Sequence, residues 1–363
     1  MARRSPDAAR GRDAVSVGAL VVAVATRALE DSVEEELAEF EALAHAAGAR
    51  VLDRVIQRRE NVDPATLVGS GKAVEIAERA AELGAGLLLV LNDLRPRQRK
   101  NLEKIVPLPI VDRTMLILDV FSRHARSREG KLQVELAQLR YRQSNLIGAG
   151  ADLSRLGGGI GTRGPGETKL EVDRRRIGAR ISALNRLLAD VARQRGVRRS
   201  SLRSEPLVAL VGYTNVGKSS LLNALARSDA YVADRPFATL DPTVRRAYLA
   251  PGRYARIADT VGFITDLPKD LVNAFRATLE ELREAELLLH VLDASNPQWS
   301  RQRRAVEAIL HDLDLDRTPR IYVFNKCDLM PGDVPQERGA FYVSARTKAG
   351  LDALRAAVID CLT

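Results

Sequence analysis

The sequence predicts an α/β protein of three units: an N-terminal parallel βαβ domain, a long antiparallel helical hairpin, and a C-terminal α/β domain built on a phosphate-binding loop. Three observations predict it. Apolar strand-like runs alternate with helix-period segments from Val17 to about Ser122. Two seams of leucine and isoleucine, spaced three and four residues apart, then flank a single Gly-rich run. Last, the apolar run LVALVG leads into Gly212-x-x-x-x-Gly217-Lys218-Ser219 and then LLNALA, which reads as strand, loop and helix in that order. The expected boundaries are a disordered basic tail at 1–16, then units at 17–122, 123–204 and 205–363.

Composition sets outer limits. The 363 residues suffice for two or three domains, at about 150 residues each. Hydrophobic residues make up 45% and aromatics only 4%, so the cores must rest on Leu, Val, Ile and Ala. The two cysteines, Cys327 and Cys361, are too few for a disulfide framework or a Cys-rich zinc site, which implies a reducing compartment and a cytoplasmic protein. The start imitates a secretory signal: MARRSPDAARGRD is basic and AVSVGALVVAVA is apolar. The apolar run is short and β-branched, and Asp7 and Asp13 interrupt the basic part, so a buried strand is expected there instead. No run approaches the length of a membrane span. No membrane association is expected, and the protein is expected to be a monomer.

In the first unit, VGALVVAV reads as a strand and SVEEELAEFEALAHAAG as a helix, with Ser32 and Glu35 spaced as a capping box. ARVLDRVI, GLLLVLN and LPIVDR read as strands. GKAVEIAERAAEL and PRQRKNLEKI read as helices, the latter with Pro96 near its first position. VGSGK (68–72) resembles half a phosphate loop, but Thr66 stands where the spacing needs glycine, so it reads as a turn and helix start.

The middle unit is basic. From Arg123 to Ser204 there are 19 Lys and Arg against 7 Asp and Glu, a net +12 in a chain of net +9. Such a concentration implies a polyanionic partner touching that unit. Leu132, Leu136, Leu139, Gln143 and Leu146 form one predicted seam; Ile177, Ile181, Leu184, Leu188 and Val191 form the other. Between them, GIGTRG (159–164) matches the dinucleotide fingerprint, but no strand precedes it. The run is therefore expected to be the tip of the hairpin, with Thr168 and Glu171 capping the second helix.

The third unit carries the chemistry. In Gly212-Tyr213-Thr214-Asn215-Val216-Gly217-Lys218-Ser219, backbone N–H groups would cradle phosphates, Lys218 would reach the β- and γ-phosphates, and Ser219 would ligate Mg²⁺. Asn325-Lys326-Cys327-Asp328 at a strand end selects guanine, because the Asp328 carboxylate can accept from both N1–H and the 2-amino group. Ser344-Ala345-Arg346 would offer backbone N–H to guanine O6. Asp259-Thr260-Val261-Gly262 supplies a carboxylate that would hold Mg²⁺ through water and an N–H that senses the γ-phosphate. Phe237-Ala238-Thr239-Leu240-Asp241 is the expected first switch, with Thr239 the chosen second Mg²⁺ ligand and Thr243 its rival. These motifs, in this order, predict a Ras-like P-loop GTPase domain. Lys218, Thr239 and Gly262 are the residues expected to act on the reacting phosphate. Phe263 stands where many such proteins have the glutamine that orients the attacking water. Asn215 would either hold a K⁺ ion near the β–γ bridge or make a loop hydrogen bond.

Together GGGIGTRGPGETKLEVDRRRI, GYTNVGKSSLLNAL, FATLDPT, DTVGFI, LVNAFRATLEE and NKCD resemble the HflX family of ribosome-associated GTPases, from about Val17 onward. The Gly-rich tip is the specific marker. The resemblance implies GTP, GDP and Mg²⁺ as ligands and the large ribosomal subunit as partner, met through hairpin 123–204. It also implies splitting of stalled or idle ribosomes under stress. Some members carry a further C-terminal domain, whose function is in doubt for this chain. A regulatory switch acting on a protein partner without RNA is the alternative, and it would not need the +12 of the middle unit. An ATP-using activity of the first unit would lack a phosphate loop of its own.

Overall fold

The computed structural model describes residues 16–27, 29–156, 169–199, 205–226, 237, 243–264, 280–330 and 337–362. Internal contacts divide the chain into two units, 1–116 and 117–363.

The first unit is a four-stranded parallel sheet of order β2-β1-β3-β4. Its strands are β1 (Val17–Ala25), β2 (Ala49–Arg58), β3 (Leu87–Val90) and β4 (Ile110–Asp112). Helices α1 (Val33–Ala46), α2 (Ser70–Glu82) and α3 (Pro96–Ile105) connect them, as parallel pairing requires. The apolar run near the N-terminus is thus a strand paired on both edges, and Ala19 to Val24 are buried. VGSGK is a turn and helix start: Gly69 has φ +82 and α2 begins at Ser70. One expected detail fails. Ser32 makes no side-chain cap on α1, because a short 3-10 turn over Glu30–Ser32 leads into the helix. Its Oγ instead donates to Leu29 O and Glu36 Oε1.

Helix α4 (Arg113–His124) spans the division between the units. The second unit then contains α5 (Arg128–Leu156) and α6 (Lys169–Arg199), which pack on one another. Ser127 opens α5 by accepting from the Gly130 N–H. Leu184 is fully buried, as its seam predicts, and Leu136 is buried in the facing helix. Val134 and Ala137 are buried as well, outside the predicted seam. Arg180 clamps Glu135 bidentately at 2.7 and 2.9 Å across the pair. Residues 157–168, which include the Gly-rich tip and Thr168, lie outside the described residues.

The remainder is a six-stranded sheet of order β10-β9-β8-β5-β7-β6. Its strands are β5 (Leu207–Gly212), β6 (Thr243–Ala250), β7 (Arg253–Asp259), β8 (Leu287–Asp293), β9 (Arg320–Asn325) and β10 (Phe341–Tyr342). All neighbours are parallel except β6 and β7, joined at Pro251-Gly252. Helices α7 (Lys218–Ala226), α8 (Trp299–Asp312) and α9 (Leu351–Cys361) accompany it. β5 and β8 are buried along their whole length, which is why they read as unbroken apolar runs.

His290 in β8 is the exception to that apolar rule. It is 0% exposed, and neither ring nitrogen has a hydrogen-bond partner among the described residues. Burial holds its pKa down to about 4; Glu307 pulls it up, while Arg303, Arg320 and Lys218 push it lower. The unfolded chain therefore takes up this proton at a higher pH than the folded one. Stability should be complete above pH 6.5 and fall as pH drops toward 4, by about 2 kcal/mol at pH 5 from this residue alone. Denaturant unfolding across that range should show the decline, and His290→Leu should flatten it. An unchanged slope in the variant would assign the acid limb to other groups.

Candidate nucleotide site

The phosphate loop forms where the central strand β5 ends. Gly212 closes β5, and residues 213–217 lead to Lys218 at the start of α7, so successive N–H groups converge on a helix N-terminus. Asn215 takes φ +61 and Gly217 φ +87, which turns the chain tightly around that point. Gly217 is needed twice over: its φ is left-handed, and a Cβ would collide with Asn325 Nδ2.

Lys218 is buried, and its Nζ donates to Gly212 O at 3.0 Å and Tyr213 O at 2.7 Å. Burial lowers its pKa to about 8, and the Asp259 carboxylate acts in the opposite direction. Ser219 Oγ donates to Asp259 Oδ2 at 2.5 Å. A hydroxyl and a carboxylate, both hard oxygen donors, thus meet at the base of the loop, which is the chemistry a Mg²⁺ ion takes. Thr260 Oγ1 donates to Leu210 O and anchors the end of β7 to β5.

Val261 and Gly262 follow directly. A Cβ on Gly262 would lie 2.9 Å from the Thr214 backbone and 3.1 Å from Lys218 Nζ. Only glycine fits this approach. The next residue fixes it: Phe263 N–H donates to Gly212 O and Phe263 O accepts from Thr214 N–H. The Phe263 side chain is buried, 3% exposed. Asn215 is exposed, and no loop hydrogen bond holds its side chain among the described residues.

Asn325 joins the base-binding segments to the phosphate loop. Its Nδ2 donates to Val216 O at 2.9 Å, and its Oδ1 accepts from Ala345 N–H at 3.0 Å. Lys326 has φ +61 and pairs its Nζ with Asp293 Oδ2 at 2.7 Å. Cys327 N–H donates to Val343 O. Burial and the adjacent Asp328 carboxylate raise the Cys327 thiol pKa. Asp328 is exposed beside this turn. Ser344 is fully buried and its Oγ accepts from Thr347 N–H. Ala345 gives its N–H to Asn325 Oδ1 and Ser344 gives its N–H to Ala349 O, so two of the three expected donors are engaged within the protein.

Phe237 is buried at φ +55, with its ring edge-to-face on Phe121 of α4 at 4.5 Å. Ala238, Thr239, Leu240 and Asp241 lie outside the described residues, whereas Thr243 is the first residue of β6, opposite Asp259. Two residues of this region escaped the sequence reading. Asp293 holds Lys326 and also accepts from Ser295 N–H and Oγ; its only sequence signal is D-A-S at the end of an apolar run. Phe121 has no signal at all, since its partner is 116 positions away.

Removing the loop lysine should be decisive. Lys218→Ala should weaken nucleotide binding by about 100-fold or more, since two charge-assisted phosphate contacts vanish. Thermal unfolding should be little affected, because only two bonds to loop carbonyls are lost. Equal affinity in titration calorimetry would remove Lys218 from the site.

Three family models match the chain in succession. Residues 34–122 match the family described as GTP-binding GTPase N-terminal, 124–201 the GTP-binding GTPase middle region, and 207–326 the 50S ribosome-binding GTPase family. The chain is 50% identical to GTPase HflX of Caldanaerobacter subterraneus subsp. tengcongensis over 90% of its own length and 76% of that protein. It is 43% identical to GTPase HflX of Escherichia coli over 97% of its length and 84% of that protein. A crystal structure of SsGBP in complex with GDP aligns over 94% of this chain and 98% of that one, at 23% identity and a TM-score of 0.51, a likeness of fold.

Proposed function

Since the chain belongs to the HflX family of GTPases, we propose that it couples GTP hydrolysis to splitting or rescue of stalled and idle ribosomes under stress, acting on the large subunit in the cytoplasm. That it binds and hydrolyses GTP follows from the family. The observation that supports the ribosomal reading is the net +12 of residues 123–204 beside a GTPase unit. The test is sucrose-gradient sedimentation with a non-hydrolysable GTP analogue: the protein should move with large subunits, and 70S particles should dissociate. Intact 70S particles, with the protein at the top of the gradient, would refute it.

The roles proposed for the residues follow from their places. The loop N–H groups and Lys218 bind the phosphates; two of the three Nζ donors rest on the Gly212 and Tyr213 carbonyls, which aims the ammonium from within the loop. Ser219 and Thr239 would hold Mg²⁺, with Asp259 behind Ser219; the ion would neutralise charge on the β- and γ-phosphate oxygens. Gly262 lies beside Lys218, where its N–H can report the γ-phosphate. Asp328 and Arg346 N–H read guanine. Asn215, with no bond of its own to the loop, would hold K⁺.

No side chain at position 263 orients water, because Phe263 is apolar and buried. Intrinsic hydrolysis should therefore be slow and should rise by about 100-fold when large subunits order the switches. The intrinsic rate should fall when Na⁺ replaces K⁺. Phosphate-release assays check both; fast hydrolysis by the free protein in Na⁺ would contradict them.

A further inference from the structure

The turn that carries Asp328 is held from a strand end that none of the base-reading motifs includes. β8 ends at Asp293, which lies opposite Asn325 at the end of β9. Ala294 N–H donates to Asn325 O at 2.8 Å, so the chain leaving β8 is bonded to the start of Asn325-Lys326-Cys327-Asp328. Both oxygens of the buried Asp293 carboxylate are engaged. Oδ1 accepts from Ser295 N–H at 3.0 Å and from Ser295 Oγ at 2.6 Å, and Oδ2 accepts from Lys326 Nζ at 2.7 Å. Lys326 has φ +61, a left-handed backbone that a residue with a Cβ keeps only when other contacts hold it. It leads into the 3-10 turn Cys327–Leu329, and its carbonyl accepts from Leu329 N–H at 2.9 Å. Asp328 stands in the middle of that turn, exposed, and its carboxylate makes no hydrogen bond or ion pair among the described residues. The aim of that carboxylate is therefore set by the turn, and the turn begins at Lys326.

We propose that Asp293 is a positioning residue for guanine recognition: by pairing with Lys326 it holds the left-handed backbone that aims Asp328 at the base, and so it sets how long a guanine nucleotide stays bound. The inference rests on the reading of Asp328 as the group that accepts from guanine. The pair is suited to this work because it is mostly buried, with side chains 13% and 27% exposed, so water and salt screen it less than a surface pair. Asn325 cannot do the same alone. Its side chain bonds Val216 O and Ala345 N–H, which fixes the residue before the left-handed one and not the turn after it. The turn is gripped through Cys327 N–H on Val343 O and through Lys326 on Asp293. Loss of the second grip should loosen the aim of Asp328 and leave the loop in place. The phosphate loop would still capture the nucleotide, so the effect belongs to release rather than to association.

Asp293→Asn is the informative change. The amide oxygen can still accept from Ser295, and the amide nitrogen then faces Lys326 as donor against donor, so the pair alone is broken. In the full chain, GDP affinity should fall by about tenfold, and release of a ribose-labelled fluorescent GDP should quicken by the same factor. Adding Asp293→Asn to Lys326→Met should weaken binding no further than Lys326→Met alone, because the partner is already gone. Adding it to Asp328→Asn should weaken binding by less than about twofold, since a group that no longer reads the base cannot be misaimed. A residue that merely stabilised the unit would show its whole loss again in both backgrounds, and that result would overturn the proposal. Unchanged affinity and release in Asp293→Asn would overturn it as well. If Asp293→Asn does not fold, Lys326→Met breaks the same pair: faster release there supports the proposal, and release at the parent's rate overturns it. A loss in Asp328→Asn without one in Asp293→Asn removes this inference and leaves the base reading. Unchanged affinity in Asp328→Asn removes both.

Discussion

Asp328→Asn should lower GTP affinity by at least about 100-fold, with little change in thermal stability. The carboxylate is expected to accept two hydrogen bonds from guanine, from N1–H and the 2-amino group. An amide keeps one acceptor and turns the other atom into a donor aimed at a donor. The loss is therefore a missing bond plus a repulsive one, which is why it exceeds the usual cost of a single hydrogen bond. Asp328 is exposed and its carboxylate makes no hydrogen bond or ion pair among the described residues, so the loss should appear in binding alone. The neighbouring asparagine is different. Asn325 bonds both Val216 O and Ala345 N–H, so Asn325→Ala should lower stability as well as affinity. The amide at 328 also suits xanthine, whose 2-oxo group accepts where guanine donates. Calorimetry with GTP and XTP reads both effects. Unchanged GTP affinity would sink the assignment of the base site, and a loss for both nucleotides without a gain in XTP preference would point to a disturbed loop.

Much of this site is legible before folding because its constraints are local. Gly217 takes a left-handed φ, a need set within the loop itself, whereas the approach of Asn325 that also requires glycine comes from a distant strand end. Fully buried strands such as β5 and β8 announce themselves as apolar runs. What the sequence could not show are pairings made only by the assembled sheet. The pairing of Asp293 with Lys326 joins the ends of two parallel strands, 33 positions apart. The edge-to-face contact of Phe237 with Phe121 joins the start of the segment expected to be the first switch to α4. Where a local rule competed with tertiary structure, it sometimes lost: the spacing of Ser32 and Glu35 suits a capping box, yet the preceding 3-10 turn directs the hydroxyl to Leu29 and Glu36. In the helical pair, strict heptad counting found Leu136 and Leu184 but not Val134 and Ala137, because neighbouring positions beside the seam are buried too.

Replacing residues 157–166 with a Gly/Ser linker of equal length, together with Lys169→Ser, should abolish ribosome splitting while leaving GTP binding intact. The segment lies outside the described residues, so the argument is one of sequence and of the helices that carry it. From Arg155 to Lys169 there are three basic residues, Arg155, Arg163 and Lys169, and a single acid, Glu167, among six glycines. Glycines let the backbone approach a surface closely, and the bases neutralise phosphate. The helices on either side, 29 and 31 residues long, are joined by the Glu135–Arg180 clamp and the buried Leu184, which makes them a stiff mount. Such a mount can deliver the tip into a narrow RNA cavity, and the family resemblance suggests the peptidyl-transferase region of the large subunit. Two lost cations should weaken large-subunit binding by about tenfold at moderate salt. Gradient sedimentation of 70S ribosomes with GTP, at one fixed salt concentration, reads splitting directly. A variant that splits ribosomes as well as the parent would reduce the Gly-rich run to a connector. The net +12 of residues 123–204 would then have to act away from the tip, where Arg174, Arg175 and Arg176 lie exposed on α6.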